Sequence, residues 1–202
     1  MKMLKILLFC LVLVFTSCGI GQPNPTYVYN TNPNYTWGFA DFYGAYYANY
    51  NKNNVISLSL FSDSLKIDDL GNLTGVGQSL FLEDVFVEPK DTLLPVGTYS
   101  VNNTGLPFTV SSGRNDTIDN VIYPIGARIS YYELNAAKSK MQLISSGSFT
   151  VTQSGSVYNI VCDFKTTDSI LLKGTFSAKL PTYNQSIVVP KSVRRNNLVY
   201  LK

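Results

Sequence analysis

The chain has 202 residues, 45% of them apolar and 14% charged, with a formal net charge of +3 and no histidine. The lack of histidine removes the commonest general base, the usual Ser–His–acid triads and most zinc-site types. Lys2 and Lys5 lie at the extreme N-terminus and Lys191, Arg194, Arg195 and Lys202 at the other end, which leaves residues 18–189 at net −3. A nucleic-acid binder needs a basic stripe on its folded body, and this composition offers none.

Residues 1–17 begin with the basic Lys2 and Lys5 and continue as an unbroken apolar run, Ile6 to Phe15. The run is too short to cross a bilayer as a mature helix and is followed at once by small residues. Its close, Phe15-Thr16-Ser17-Cys18, resembles the lipobox of bacterial lipoproteins. That resemblance implies a signal peptide cut before Cys18, with diacylglycerol and acyl (palmitate-type) chains on that cysteine, and hence an exported, membrane-anchored protein. Gly19 carries no Asp-type retention signal, which is permissive for the outer membrane, on either its periplasmic face or the cell surface. Cys10 leaves with the leader and Cys18 is lipidated, so Cys162 stands alone and no intrachain disulfide forms.

Residues 18–35 are rich in Pro, Asn and Gly, without periodicity or charge, and read as a flexible tether. From residue 36 to 182, short runs of Tyr, Phe, Val, Ile, Thr and Ser are broken by turn residues. This predicts one all-β domain, an antiparallel sandwich or barrel built as a meander of about eight to ten strands. WGFADFYGAYYANYN is read as the first strand, although its aromatics also fit helical spacing. NVISLSLFS follows with Ile56, Leu58 and Leu60 alternating against Ser57 and Ser59, a half-buried strand. Residues 62–77 and GRNDTIDN read as loops. The last three strands are the clearest: MQLISSGSFTVTQ, VYNIVCDFK and ILLKGTFSAKL. In the middle one Tyr158, Ile160, Cys162 and Phe164 share a face, which makes Cys162 a core residue rather than a reactive thiol. Residues 183–202 form a basic tail or one more edge strand.

Three phrases carry a wider likeness: LPVGTYSV at 94–101, GSFTV with VYNIVCDFKTTDSILLKGTFSA, and Phe42-Tyr43-Gly44 leading into VISLSL. They resemble those of small, uncharacterised surface lipoproteins of Bacteroidota. The resemblance implies an antiparallel β domain on an outer-membrane lipoprotein, beside polysaccharide-uptake or fimbrial systems, and supplies no catalytic residues. Bacteroidota also O-glycosylate exported proteins at Asp, then Ser or Thr, then an apolar residue. Asp63-Ser64-Leu65, Asp91-Thr92-Leu93, Asp116-Thr117-Ile118 and Asp168-Ser169-Ile170 match, each in a predicted loop or turn. Ser64, Thr92, Thr117 and Ser169 are therefore candidate glycosylation sites, against the alternative that Asp-Ser and Asp-Thr are ordinary turn pairs.

Binding is hinted at only by the aromatics. On a continuous strand Trp37, Phe39, Tyr43 and Tyr47 would share one face, and Phe42, Tyr46 and Tyr50 the other. Both faces cannot be core without stranding tyrosine hydroxyls, so one face presents rings outward. Trp37, Tyr43, Tyr46 and Tyr47 are the candidate ligand contacts, weighed against plain packing. Among carboxylates, Glu83 and Asp84 should point to opposite faces of a strand and so could not act on one bond. Asp68 with Asp69, and Asp116 with Asp119, read as solvated turns rather than metal sites. The expectation is a non-catalytic module, without cofactor or metal, that binds a glycan or other extracellular ligand as an accessory to an uptake system. The alternatives are a structural or adhesive surface protein with a protein partner, and a lipocalin-like carrier of an apolar molecule, which needs a closed barrel with an empty interior.

Overall fold

The computed structural model describes residues 29–118, 120–135 and 139–186. The expected leader, Cys18 as the expected lipidation site, Asp119 and the basic residues of the tail lie outside the described residues. The strands are β1 (Asn34–Tyr35), β2 (Trp37–Gly44), β3 (Asn54–Phe61), β4 (Leu65–Ile67), β5 (Leu73–Gly75), β6 (Gly77–Val87), β7 (Gly97–Val101), β8 (Thr109–Val110), β9 (Arg114–Ile118), β10 (Val121–Ile125), β11 (Arg128–Tyr132), β12 (Lys140–Ser154), β13 (Val157–Thr166), β14 (Leu171–Leu172), β15 (Thr175–Lys179) and β16 (Thr182–Asn184). The described residues contain no helix, and the all-β fold is as the sequence suggests.

Five strands close on themselves in the order β6–β11–β12–β7–β8 and back to β6. The sheet extends from this barrel in two directions, through β3, β2 and β16 from β6, and through β13, β15 and β1 from β12. Closure depends on kinks in the two longest strands. One edge of β6 pairs with β11 over Gly77–Phe81, breaks at Glu83 and Asp84, and resumes with β8 at Val85. Similarly, β12 leaves β11 after Leu143 and takes β7 from Ser148. A bulge bends a strand and sharpens its twist, which is what a barrel corner needs. At the second corner sits Gly147, with φ of 111°, where a Cβ would fall 2.2 Å from the Asp163 carbonyl oxygen. Only glycine fits there.

The pairing is not a pure meander. The pairs β1/β15, β7/β8 and β16/β2 are parallel. The β12–β13–β15 series is the antiparallel run read from the sequence, with the two-residue β14 added on the way. Inside, Tyr99 and Phe149 stack at 4.6 Å and 7°, and Phe149 meets Phe164 at 6.3 Å. Ile56, Leu58, Tyr158, Ile160, Phe164 and Phe176 are all buried in the same contiguous cluster. The space that an interior carrier site would need is thus filled with side chains. Cys162 belongs to this cluster, and burial pushes its thiol pKa up.

Four local expectations need correction. The tether ends earlier than residue 35, because Tyr29 and Tyr35 are buried in the core and β1 pairs with β15. The aromatic strand stops at Gly44, whose φ of 64° turns the chain. Residues 46–50 then form a turn in which the Asn51 amide donates to the Tyr47 carbonyl at 2.8 Å, so the helical spacing was meaningful for one turn. Residues 62–77 hold the β4–β5 hairpin, closed by Asp68, whose carboxylate accepts the amides of Leu70 and Asn72 at 2.9 and 2.8 Å. Those bonds hold the Asp68 carboxyl below its ordinary range. GRNDTIDN contributes β9, which pairs with β10 as a second hairpin. Thr117 therefore lies on a strand, although exposed, while Ser64, Thr92 and Ser169 are exposed in turns or bends. The Ser64 hydroxyl already donates to the Val76 carbonyl.

Candidate functional site

The register across β2, β3, β6 and β11 builds one outward sheet face. Directly paired residues point the same way, so Phe39, Ser59, Phe81 and Arg128 form one cross-strand row, and Trp37, Phe61, Ser79 and Ser130 the next. On the inner side Ala40, Leu58 and Leu82 enter the core. Ser57 and Ser59 are only 3% and 5% exposed, because larger side chains on both neighbouring strands overhang them. The result is a groove with a serine floor and aromatic walls.

The bulge in β6 supplies its charge. Ile56 pairs with Val85 and Leu58 with Leu82, so Ser57 faces both Glu83 and Asp84. Asp84 takes a left-handed φ of 54°. The extra residue breaks the two-residue period, and both carboxylates reach the same cavity. This overturns the expectation that they point to opposite faces. A trace of the bulge is legible in the sequence, where the inward apolar residues Leu80 and Leu82 are followed by Val85 and Val87, a change of parity.

That cavity, of about 380 Å³, is walled by Tyr43, Tyr46, Tyr47 and Tyr123, with Glu83, Asp84, Asp116 and Arg114 among its polar groups. Tyr43 ends β2, Tyr46 and Tyr47 come from the following turn, and Tyr123 comes from the β9–β10 hairpin. The rings of Tyr43, Tyr46 and Tyr47 meet edge to face at 5.9 and 4.9 Å, and Tyr47 rests against Phe86 at 5.9 Å. A satellite cluster of Tyr47, Val55 and Phe86 holds them. Three of the four candidate contacts are thereby brought together, though by a turn rather than a shared strand face. Trp37 stands apart. It stacks on Phe61 at 4.1 Å and donates its indole N–H to the Leu65 carbonyl at 2.8 Å, which anchors the β4–β5 hairpin.

The Tyr47 hydroxyl donates to Asp84 Oδ2 at 2.7 Å. Burial pushes the Asp84 carboxyl up to about 7, and neighbouring Glu83 adds to the shift, while the Tyr47 hydroxyl and Arg114 oppose it. Burial likewise raises Tyr47 and Tyr43. Glu83 is held differently. Its Oε2 accepts the Gly126 amide at 2.9 Å and Arg128 Nη1 at 3.1 Å, and the Arg128 guanidinium lies 4.1 Å from the Phe81 ring centroid. Gly126 has φ of 77°, and a Cβ there would lie 2.1 Å from the Ser112 carbonyl oxygen. Gly126→Ala is accordingly expected to lower stability by at least ~1–2 kcal/mol in urea denaturation, through backbone strain and a displaced Glu83 amide contact.

No group of three or more metal-ligating side chains is present among the described residues. Phe81, Arg114, Tyr123 and Arg128 escaped the sequence reading, because the register of β6 and β11 places Phe81 and Arg128, and a separate hairpin brings in Arg114 and Tyr123. Comparison of the chain with protein-family profiles, with curated proteins and with solved structures finds no match to any of them.

Proposed function

We propose that this protein is a lipid-anchored extracytoplasmic module of the outer membrane, held by Cys18, that binds a glycan in the tyrosine-walled cavity without a cofactor. The observation that carries this reading is the composition of the cavity. Four tyrosines line it beside three carboxylates and an arginine, at the end of a groove on an outward sheet face. Sugars present apolar C–H faces and hydroxyl edges, so flat rings match the first while carboxylate and guanidinium groups match the second. The lipobox-like leader supports the address and the wider likeness to surface lipoproteins supports the ligand class.

The test is gel-retardation electrophoresis of the protein through a series of soluble plant, host and bacterial polysaccharides, with Tyr46→Ala alongside. The expected result is retardation by at least one polysaccharide and an affinity about tenfold or more lower in the variant, equivalent to ~1.4 kcal/mol. Retardation unchanged by the substitution would remove the cavity from the account.

The juxtaposition of Glu83 and Asp84 favours a second reading, cleavage of the bound glycan. A carboxyl group raised to about 7 beside one that is ion-paired with Arg128 is the kind of asymmetric pair that a glycosidase acid and its partner need. Release of reducing ends during the same incubation, abolished in Asp84→Asn, would select that reading over simple binding.

A further inference from the structure

The tyrosine-walled cavity is not isolated on its sheet face. A second cavity of about 250 Å³ lies on the same face, and the two share Phe81 as a wall. Ser57 lines the first and Ser59 the second. These are alternate residues of one strand, so the two floor positions lie ~7 Å apart. Along β3 the outward side chains between Val55 and Phe61 are both serines. On one side stand Tyr43 and Phe39 from β2, and on the other Phe81 with Arg128 across it. Each end is bounded by a separate two-stranded hairpin outside the main sheet. Arg114, Asp116 and Tyr123 of β9–β10 close the first cavity, and Ile67 and Leu73 of β4–β5 close the second.

We propose that the two cavities are adjoining subsites of one groove, and that the ligand is a linear glycan chain laid along β3 rather than a single sugar. The inference rests on the glycan reading above and names its ligand as an oligomer. Both subsites combine a serine floor with aromatic walls and charged groups, acidic in the first and basic in the second. The first has Ser57, tyrosine rings and carboxylates. The second has Ser59 and Ser130 hydroxyls, the Arg128 guanidinium, and the rings of Phe39, Phe81 and Tyr132. A polymer of rings that alternates apolar faces with hydroxylated edges fits such a repeat, since each unit finds an aromatic wall and a polar floor. A purely apolar ligand would strip water from the carboxylates of the first cavity and from the Arg128 guanidinium without replacing it, at a cost.

The experiment is isothermal titration of the full mature chain with ladders of two to six units of α-1,4-glucan, β-1,4-glucan, β-1,4-xylan and chitin oligosaccharides. The second protein is Tyr132→Ala, which opens the far subsite. The proposal expects affinity for the ladder that binds to rise about tenfold or more between two and four units. It also expects the variant to bring the tetramer down to the affinity of the dimer. Affinity that is flat with length, or a variant that binds the tetramer as the wild type does, would overturn the two-subsite groove and leave single-sugar binding standing. If no ladder binds, this proposal and the glycan reading fall together. The Tyr132→Ala protein is checked by thermal denaturation, and a melting temperature near that of the wild type shows that any loss is local. Should it unfold, Ile67→Ser, on the exposed hairpin side of the same subsite, is measured for the same loss.

Discussion

Replacing Asp84 by asparagine is expected to flatten the pH dependence of stability between about pH 4 and pH 7. The carboxyl of Asp84 is raised to about 7 in the fold, chiefly by burial. In the unfolded chain an aspartate titrates near ~3.9. Below that value both states carry the proton and the group contributes no slope. Between the two values the folded state still holds its proton while the unfolded state has released it, so stability falls as pH rises. Above about 7 both states are ionised and the loss is complete. Each unit of difference is worth ~1.4 kcal/mol, so the wild type should lose up to a few kcal/mol across the window. Asparagine is the apt substitution, since it tolerates the left-handed φ of 54° and can still accept from the Tyr47 hydroxyl. Asp68 works in the opposite sense. Its carboxyl is held low by backbone amides, so its contribution is present above the unfolded value and is lost only as pH falls through the lowered folded value. Urea midpoints of both proteins from pH 4 to pH 8 measure the effect, and parallel curves would show that Asp84 is not the titrating group.

Phe149→Ala should destabilise the protein by ~3–5 kcal/mol, the range for deleting a fully buried ring and leaving a cavity. Phe149 is 0% exposed. Its ring stacks on Tyr99 of β7, and its register partner on the other side is Cys162 of β13. The side chain therefore joins the barrel to the extension that leaves it through β13. Tyr99 cannot shift to fill the gap without losing the bond from its hydroxyl to the Pro95 carbonyl, 2.9 Å long. Urea unfolding followed by far-ultraviolet circular dichroism gives the loss directly. A cost below ~1 kcal/mol would mean that the site collapses freely and that the stack is not a keystone.

The parts of this fold that were legible in the sequence are those governed by local alternation. β13 and β15 alternate cleanly, as does β12 beyond its bulge, and the burial of Cys162 follows from its place in β13. β3 was legible as a strand but not in its surroundings. Its serines look like a solvent face, yet they are buried beneath the aromatics of β2 and β6. The closure of the barrel rests on the parallel β7/β8 contact and on β8 joining β6, pairings between short segments whose register no periodicity announces. The β4–β5 hairpin and β9 are only three to five residues per strand and lie in stretches rich in Asp, Asn and Gly, so they read as loops. The candidate site was legible in part for a related reason. Tyr43, Tyr46 and Tyr47 lie close in sequence, whereas Glu83 and Asp84 share the cavity only through a bulge, and Arg114, Tyr123 and Arg128 arrive from distant elements.

In the proposed function the outward face of β2, β3, β6 and β11 holds a glycan between the two hairpins. Amide hydrogen exchange of the protein, with and without a mixture of soluble polysaccharides, distinguishes an occupied face from a bare one. Slowed exchange is expected in the 45–50 turn and in the β9–β10 and β4–β5 hairpins, with the outer face of β12 and β13 unchanged. Protection confined to β12 and β13, or no protection anywhere, would contradict it.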